Sequence, residues 1–448
     1  MSCSLYEGNA YLTIMNLVYN NPKHLLSYDR NFVILRNGND GEETYVIYNS
    51  TNHAIAKLSY IEFFLLDLLY KYEDPRYISL MVDEKYRTEV FDTLTKESVS
   101  MLISIKIDKE EAQNKQNEVS IPSTYYLHLT DRCNLRCAYC YNRTQRSERS
   151  EFPFDKWIKI LNKILPYADH IILTGGECFL HPDFGKIVRY IKNNKKGVYL
   201  SCISNGMHDF KSKDDSLMFE CIDCIMFSCD SLEREGKRVG FKPKLFLESI
   251  NFFLTKYPKI SLEISATRTI DNDDDLKQIK AFCTDKGISH KFINLIPEGI
   301  EGIKDMPMAI SCFSQHHHCI SMMGSSQWPG KNTRCGAGFK VLSISSKGDA
   351  YPCQALHYKD FLMGNMLEND LMELKYIKDQ TMCLPGVDDI DGCKSCNIRY
   401  VCGGGCLAAS YPSNGYAFKR NRLICPYNYE NAMRRLINFS RTPNNPSV

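Results

Sequence analysis

The chain has 448 residues, 44% hydrophobic and 24% charged, with 55 Lys and Arg against 53 Asp and Glu for a net charge of +2. That length exceeds what one hydrophobic core usually supports, so two or three domains are expected, and the even charge gives no global drive toward nucleic acid or an anionic membrane. The 20 cysteines are the outlier; without a secretory pattern at Met1–Glu7 or a long uninterrupted apolar run, they read as metal ligands of a cytoplasmic protein rather than as disulfides.

Residues 1–105 form the first block. Phe32–Leu35 and Thr44–Asn49 flank the turn-rich Asn37–Gly41 and read as a hairpin. Ser59-x2-Glu62 has the pattern of a capping box opening a helix over Ile61–Tyr72, and further helices are expected over Tyr77–Val82 and Glu84–Lys96. Nine Lys and Arg against fourteen Asp and Glu give this block a charge of −5, which opposes phosphate binding. Residues 106–120 are almost entirely polar and read as a linker.

The second block, 121–310, alternates short β-branched runs with amphipathic stretches. Strands are expected at Tyr125–Thr130, His170–Thr174, Val198–Ser204, Ile225–Cys229, Ser261–Thr267 and Lys291–Ile296, with helices between them such as Phe154–Leu165 and Phe184–Asn193. Six βα units argue for a parallel α/β fold. They are too few for eight strands, so a TIM-like partial (β/α)6 barrel is expected, with functional groups at the C-terminal strand ends. Four motifs fall at those ends: the run Asp131–Cys140, Gly175-Gly176-Glu177, Asn205-Gly206, and Ser228-Cys229-Asp230.

Cys133, Cys137 and Cys140 have C-x3-C-x2-C spacing. Three thiolates in one short loop suit a cubane iron-sulfur cluster with one iron left open, whereas an electron carrier normally supplies four. Zinc is the plainer alternative, but it takes four ligands from paired C-x2-C units. The adjacent glycines Gly175 and Gly176 allow close backbone approach to a ligand, and the carboxylate of Glu177 beside them accepts hydrogen bonds from an ammonium. In the third block, 311–448, the order is Cys335-x12-Gly348-x4-Cys353, then Cys393-x2-Cys396-x5-Cys402-x3-Cys406, then Cys425. Zinc ribbons are again the alternative. Cys178, Cys202, Cys221, Cys224, Cys229, Cys283 and Cys383 fit no such pattern and read mostly as small buried hydrophobes.

The first cysteine run resembles the signature of the radical S-adenosylmethionine (SAM) superfamily, in which the open iron chelates SAM and electron transfer cleaves it to a 5′-deoxyadenosyl radical. The resemblance implies that Gly175, Gly176 and Glu177 serve the methionine amino group, that Tyr139 sits beside the adenine, and that Asn205 and Ser228 contact the ribose or carboxylate. It leaves Arg238 and Arg268 as candidates for a carboxylate-binding arginine. The later cysteines resemble the SPASM domain, which implies two auxiliary [4Fe-4S] clusters. Cys335, Cys353 and Cys406 would hold the first, and Cys393, Cys396, Cys402 and Cys425 the second. Cys319 is the expected fourth ligand of the first, with Cys312 or an open iron as alternatives, while His316, His317 and His318 read as a polar loop. The first block resembles a winged helix-turn-helix that captures leader peptides by strand addition; a plain packing domain is its alternative.

Together these features are similar to maturases of ribosomally made peptides that build thioether bridges in sactipeptides and ranthipeptides. The resemblance implies a precursor peptide whose leader is held by the first block, hydrogen removal from a peptide carbon, bonding of a peptide cysteine sulfur to it, and an auxiliary cluster taking the surplus electron. A flavodoxin- or ferredoxin-type donor is implied, and neither nucleic acid nor membrane as partner. The runner-up is an anaerobic sulfatase-maturating enzyme that makes formylglycine, although Gln354 stands where those enzymes carry an aspartate. Carbon–carbon or ether crosslinking stays open. A non-enzymatic iron-sulfur redox regulator is the furthest alternative.

Overall fold

The computed structural model describes residues 32–37, 44–49, 55–59, 87–95, 121–140, 151–211, 215–295, 336–338, 340–374, 386–396 and 398–414, with isolated positions elsewhere, Asn142 among them. Phe32–Asn37 (β1), Thr44–Asn49 (β2) and Ile55–Ser59 (β3) form an antiparallel sheet in that order. The expected hairpin is β1–β2. The third strand escaped the sequence reading, and Ser59 closes it just ahead of the buried Phe63, Leu65, Leu66 and Leu69. A helix over Arg87–Leu94 (α1) falls within the expected Glu84–Lys96, whereas the helix expected over 77–82 lies outside the described residues.

The central sheet grows in chain order. Thr124–Thr130 (β4) leads to the two-residue Arg136–Cys137 (β5), then Phe154–Ile164 (α2), His170–Gly175 (β6), Phe184–Asn194 (α3) and Tyr199–Ser204 (β7). Ser216–Phe219 (α4), Cys224–Ser228 (β8), the short Arg238–Val239 (β9), Pro243–Lys256 (α5), Ser261–Arg268 (β10), Asp273–Lys286 (α6) and Ser289–Asn294 (β11) follow. Strands β4, β6, β7, β8, β10 and β11 are neighbours in sequence order and all parallel. A strand–helix–strand chain that always steps the same way lays its helices on one face and curls the other inward, so this is the expected partial (β/α)6 barrel.

The two faces are chemically distinct. Tyr125, Leu127 and Leu129 of β4, Ile171 and Leu173 of β6, Ile225 and Phe227 of β8, and Ile264 and Ala266 of β10 join one core with the helices. In α2 the buried residues Trp157, Ile160, Leu161 and Ile164 recur at helical spacing, and Phe184, Ile187, Val188 and Ile191 do so in α3. The alternate strand positions, among them Tyr126, His128, Ile203, Met226, Glu263 and Lys291, belong to the opposite face, the barrel lumen.

The sheet does not stop at residue 310, where the sequence suggested a boundary. Val341–Ile344 (β12) pairs parallel to β4 on its other side, and Asp349–Tyr351 (β13) and Gly364–Asn365 (β14) extend it antiparallel to nine strands. Lys163 of α2 donates to the carbonyls of Met366 (3.0 Å) and Asn369 (2.8 Å). Ser346 donates to Asp131 at 2.6 Å, joining the β12–β13 turn to the first cysteine loop. Farther on, Arg399–Cys402 (α7) and Leu407–Asn414 (α8) follow. Val33 and Tyr48 of the first sheet pack against Ile398, Val401 and Ala432. Among the described residues no helix is long and apolar enough to cross a membrane. Trp157 is wholly buried, so Trp157→Ala should cost about 3–5 kcal/mol of stability, read as an earlier denaturant midpoint; an unchanged midpoint would mean that this core is not closed.

Candidate active site

The loop after β4 is held on three sides. Its Arg136–Cys137 segment pairs antiparallel with Arg238–Val239, and the Ala138 N–H donates to the Lys237 carbonyl at 2.8 Å. Asn134 donates from Nδ2 to the Met207 carbonyl at 2.8 Å and accepts at Oδ1 from Asn205 at 2.7 Å. Arg132 reaches the Leu180 carbonyl at 2.6 Å.

The third side is the Gly175-Gly176-Glu177 turn. The Gly176 N–H donates to the Thr130 carbonyl at 2.7 Å and the Glu177 N–H to the Arg132 carbonyl at 2.8 Å. Gly175 has φ +132°, and a Cβ there would stand 2.3 Å from the Thr130 oxygen; one on Gly176 would stand 2.2 Å from the Arg132 oxygen. The glycines permit close approach to the backbone of Thr130 at the end of β4 and of Arg132 in the cysteine loop. Glu177, 1% exposed, accepts at Oε2 from the Asn205 N–H at 2.7 Å and at Oε1 from the Phe179 N–H at 3.4 Å. His208 Nε2 stands 3.5 Å from the same carboxylate. That carboxylate is engaged by this chain's own donors and ties the ends of β6 and β7 together.

Cys133, Cys137 and Cys140 are unbridged and partly exposed. The Cys133 sulfur receives the Leu135 N–H at 3.4 Å and Asn205 Nδ2 at 3.7 Å. Three thiols outside any disulfide in one pinned loop, with N–H donors aimed at the Cys133 sulfur, fit an iron-sulfur ligand set. Among the described residues no three Cys, His, Asp or Glu side chains converge at metal-holding distance, so the loop presents the thiols without a closed cage.

Tyr139 and Asn205 both face neighbours at this rim, and Ser228 ends β8 half-buried. The Tyr139 hydroxyl donates to Asp230, and the Arg238 guanidinium lies 5.5 Å from its ring centre. Arg238 grips Asp230 through Nε (3.0 Å) and Nη2 (3.1 Å), and the Thr267 N–H donates to the same carboxylate at 2.8 Å. Burial alone would lower the arginine pKa, but Asp230 and then Cys137 outweigh it and hold Arg238 charged. Asp230 carried no assigned role in the sequence reading. Its only signal there was a carboxylate at a strand end beside the other motifs. Of the two candidate arginines, Arg238 joins this rim, while Arg268 pairs with Asp273 at 2.8 Å.

The C-terminal cysteines divide between described and undescribed residues. Burial pushes the Cys393 thiol up to about 11, and the nearby Cys402, Cys425 and Cys396 add to the shift. These four, which the resemblance groups together, are therefore neighbours, although not at coordinating distance. Between Cys402 and Cys406 the chain passes through three left-handed glycines, Gly403, Gly404 and Gly405, at φ +70°, +79° and +86°. Cys406, just past that run, is exposed. Cys353 is described and partly buried, whereas Cys335, Cys319, Cys312, Cys383 and His316–His318 lie outside the described residues. Cys178, Cys202, Cys224, Cys229 and Cys283 are buried thiols of the barrel and Cys221 is partly exposed.

Comparison with known proteins agrees with this architecture. A model described as the radical SAM superfamily matches residues 127–281, and one for the SPASM iron-sulfur cluster-binding domain matches 335–397. The sporulation killing factor maturation protein SkfB of Bacillus subtilis is 23% identical over 278 residues, which are 57% of this chain and 65% of that protein. The subtilosin biosynthesis protein AlbA of the same species is 24% identical over 276 residues, 56% of this chain and 59% of AlbA. This chain thus spans less than two thirds of either relative's length. The structure of Streptococcus suis SuiB superposes with a TM-score of 0.53 at 16% identity, covering 87% of this chain and 98% of SuiB. That of anSMEcpe does so with 0.54 at 18%, covering 71% and 99%. Residues 127–281 thus match the radical SAM superfamily and residues 335–397 the SPASM domain, in that order along the chain.

Proposed function

We propose that this chain matures a ribosomally made precursor peptide, and that the bond it installs is a thioether from a peptide cysteine to a carbon of the same peptide. The observation that carries this reading is the continuity of one sheet. Because β12 lies against β4, Cys353 of the cysteine-rich part is an electrostatic neighbour of Tyr126 on the lumen side of the first barrel strand. A peptide in the lumen then lies between the Cys133–Cys140 loop and a cysteine of the second region. The names of SkfB and AlbA, and the solved complex of SuiB with its precursor peptide SuiA, support a peptide substrate.

Cys133, Cys137 and Cys140 would hold the SAM-binding [4Fe-4S] cluster, with Tyr139, Gly175, Gly176, Asn205 and Ser228 around SAM and Glu177 setting the position of Asn205. Cys335, Cys353, Cys406 and Cys319 would hold one auxiliary cluster, and Cys393, Cys396, Cys402 and Cys425 the other. When bound, these groups supply a carbon-centred radical and an electron acceptor, chemistry that no side chain here offers. The chain's own work is to hold and orient. Arg238, fixed by Asp230, keeps a cation over Tyr139. The lumen offers Ile203 and Met226 as apolar wall, and the Glu263–Lys291 pair at 2.5 Å as a polar floor. Among the described residues β1 and β3 each pair only with β2, and leader capture by strand addition at one of these edges suits the acidic first block. A flavodoxin- or ferredoxin-type protein is the expected electron donor.

Formylglycine formation is less well supported. The residue after Cys353 is Gln354, whose Oε1 accepts from the Cys353 thiol at 3.3 Å, and an amide is no base.

Anaerobically reconstituted protein should release 5′-deoxyadenosine from SAM. Replacing Cys133, Cys137 and Cys140 together by alanine should abolish that release, and persistent cleavage would sink the assignment. Co-expression with neighbouring short reading frames should yield a peptide lighter by one hydrogen pair per crosslink in mass spectrometry; a mass change matching an aldehyde redirects the reading to formylglycine. Asp230→Asn leaves buried Arg238 without its counter-charge and should cost about 3–5 kcal/mol of stability by denaturant unfolding, together with weaker SAM binding.

A further inference from the structure

The lumen side of β4 carries a polar pair that the proposal above leaves without a role. His128 is 2% exposed and Asn142, two residues beyond Cys140, is 4% exposed. Asn142 Nδ2 lies 3.4 Å from the Gly175 carbonyl oxygen and 3.3 Å from His128 Nδ1. A carbonyl only accepts, so the group facing it is the amide NH2 and the orientation of Asn142 follows. The same NH2 donates to His128 Nδ1, which places the imidazole proton on Nε2. Burial supports the neutral ring, lowering its pKa to about 3.

Two atoms are left over. His128 Nε2, a donor, and Asn142 Oδ1, an acceptor, have no hydrogen-bond partner among the described residues. Leaving such groups unmet at this depth is unfavourable, so the pair calls for a ligand that supplies one acceptor and one donor together. A carboxylate lacks the donor and an ammonium lacks the acceptor; a peptide bond has both. Farther round the lumen, on β7, β8 and β10, Ile203, Met226, Ser228 and Ser265 are only partly buried.

We propose that His128 and Asn142 dock one peptide bond of the substrate, His128 Nε2–H donating to its carbonyl oxygen and Asn142 Oδ1 accepting from its N–H. This rests on the peptide reading given above and extends it to a specificity device. Asn142 also holds Gly175, so the docked bond is registered against the cysteine loop, and the register sets which peptide carbon faces the rim. With Nδ1 occupied and Nε2 protonated, His128 binds rather than takes up a proton.

The test uses reconstituted holoenzyme, the peptide it converts in co-expression, and synthetic versions in which each peptide bond in turn becomes an ester. An ester lacks the N–H and is a weaker acceptor. At one bond the ester should cost the wild type about tenfold in kcat/KM, while in His128→Phe that same ester costs at most about twofold more. His128→Phe should itself raise KM for the peptide about tenfold. Equal ester costs in both proteins at every bond, or an unchanged KM, overturn the proposal and leave water as the occupant. If His128→Phe retains less iron than wild type, His128→Gln, which keeps an N–H donor, must reproduce the wild-type ester pattern; a flat pattern there also overturns it. Wild-type enzyme that cleaves SAM yet alters no peptide defeats the peptide reading and this proposal together. A converted peptide with no coupled bond defeats the docking site alone.

Discussion

The contact of the Gly175-Gly176 backbone with that of Thr130 and Arg132 is the constraint on which the rest of the rim depends. Two main-chain hydrogen bonds cross it, and neither glycine has room for a Cβ. Any side chain at these positions would have to push the cysteine loop off the end of the second strand. Once the contact is made, the remaining fastenings fall within reach. Glu177 turns inward to the Asn205 backbone, Asn205 crosses to Asn134 and to the Cys133 sulfur, and the Arg238–Val239 segment closes the far side. The loop that carries the thiols is thus built as part of the barrel rim, before any cofactor is considered.

The second organising fact is the division of each strand into two faces. Outward residues and helices make one apolar core that runs on into the β12–β14 extension through Leu342, Ile344, Met363 and Met366. Inward positions are mixed and partly polar, with His128 on β4, Glu263 and Ser265 on β10 and Lys291 on β11. A core that crosses from barrel to cysteine-rich region makes rigid-body independence of the two unfavourable, since parting them would expose those apolar side chains to water. The Ser346–Asp131 and Lys163 contacts reinforce the same junction from the polar side. The barrel and its β12–β14 extension are therefore one packed unit.

In the C-terminal region a different device acts. Cys393, Cys396, Cys402 and Cys425 gather, and three successive left-handed glycines then carry the chain away toward Cys406. Conformations with positive φ cost ordinary residues free energy, and a run of three is open only to glycine. The Gly403–Gly405 run thus fixes a backbone path between Cys402 and Cys406 that only glycine takes readily.

Much of this was legible along the chain. Period-2 and helical patterns located all six barrel strands to within a residue or two, because those signals reflect local burial on one face. Cysteine spacing marked the groups of thiols, since cysteines on one short loop are bound to be near in space. What the chain order concealed were contacts between residues far apart: β12 against β4, Asp131 with Ser346, Asp230 gripping Arg238 beneath Tyr139, and the His128–Asn142 pair. The glycines of the Gly-Gly-Glu turn were visible, but not that their partner is backbone. Sequence determined which barrel strands form and which motifs stand at their ends, because those depend on local pattern. Only the tertiary structure decided what each polar group faces, because hydrogen-bond partners are chosen by packing across the barrel and leave no periodic trace.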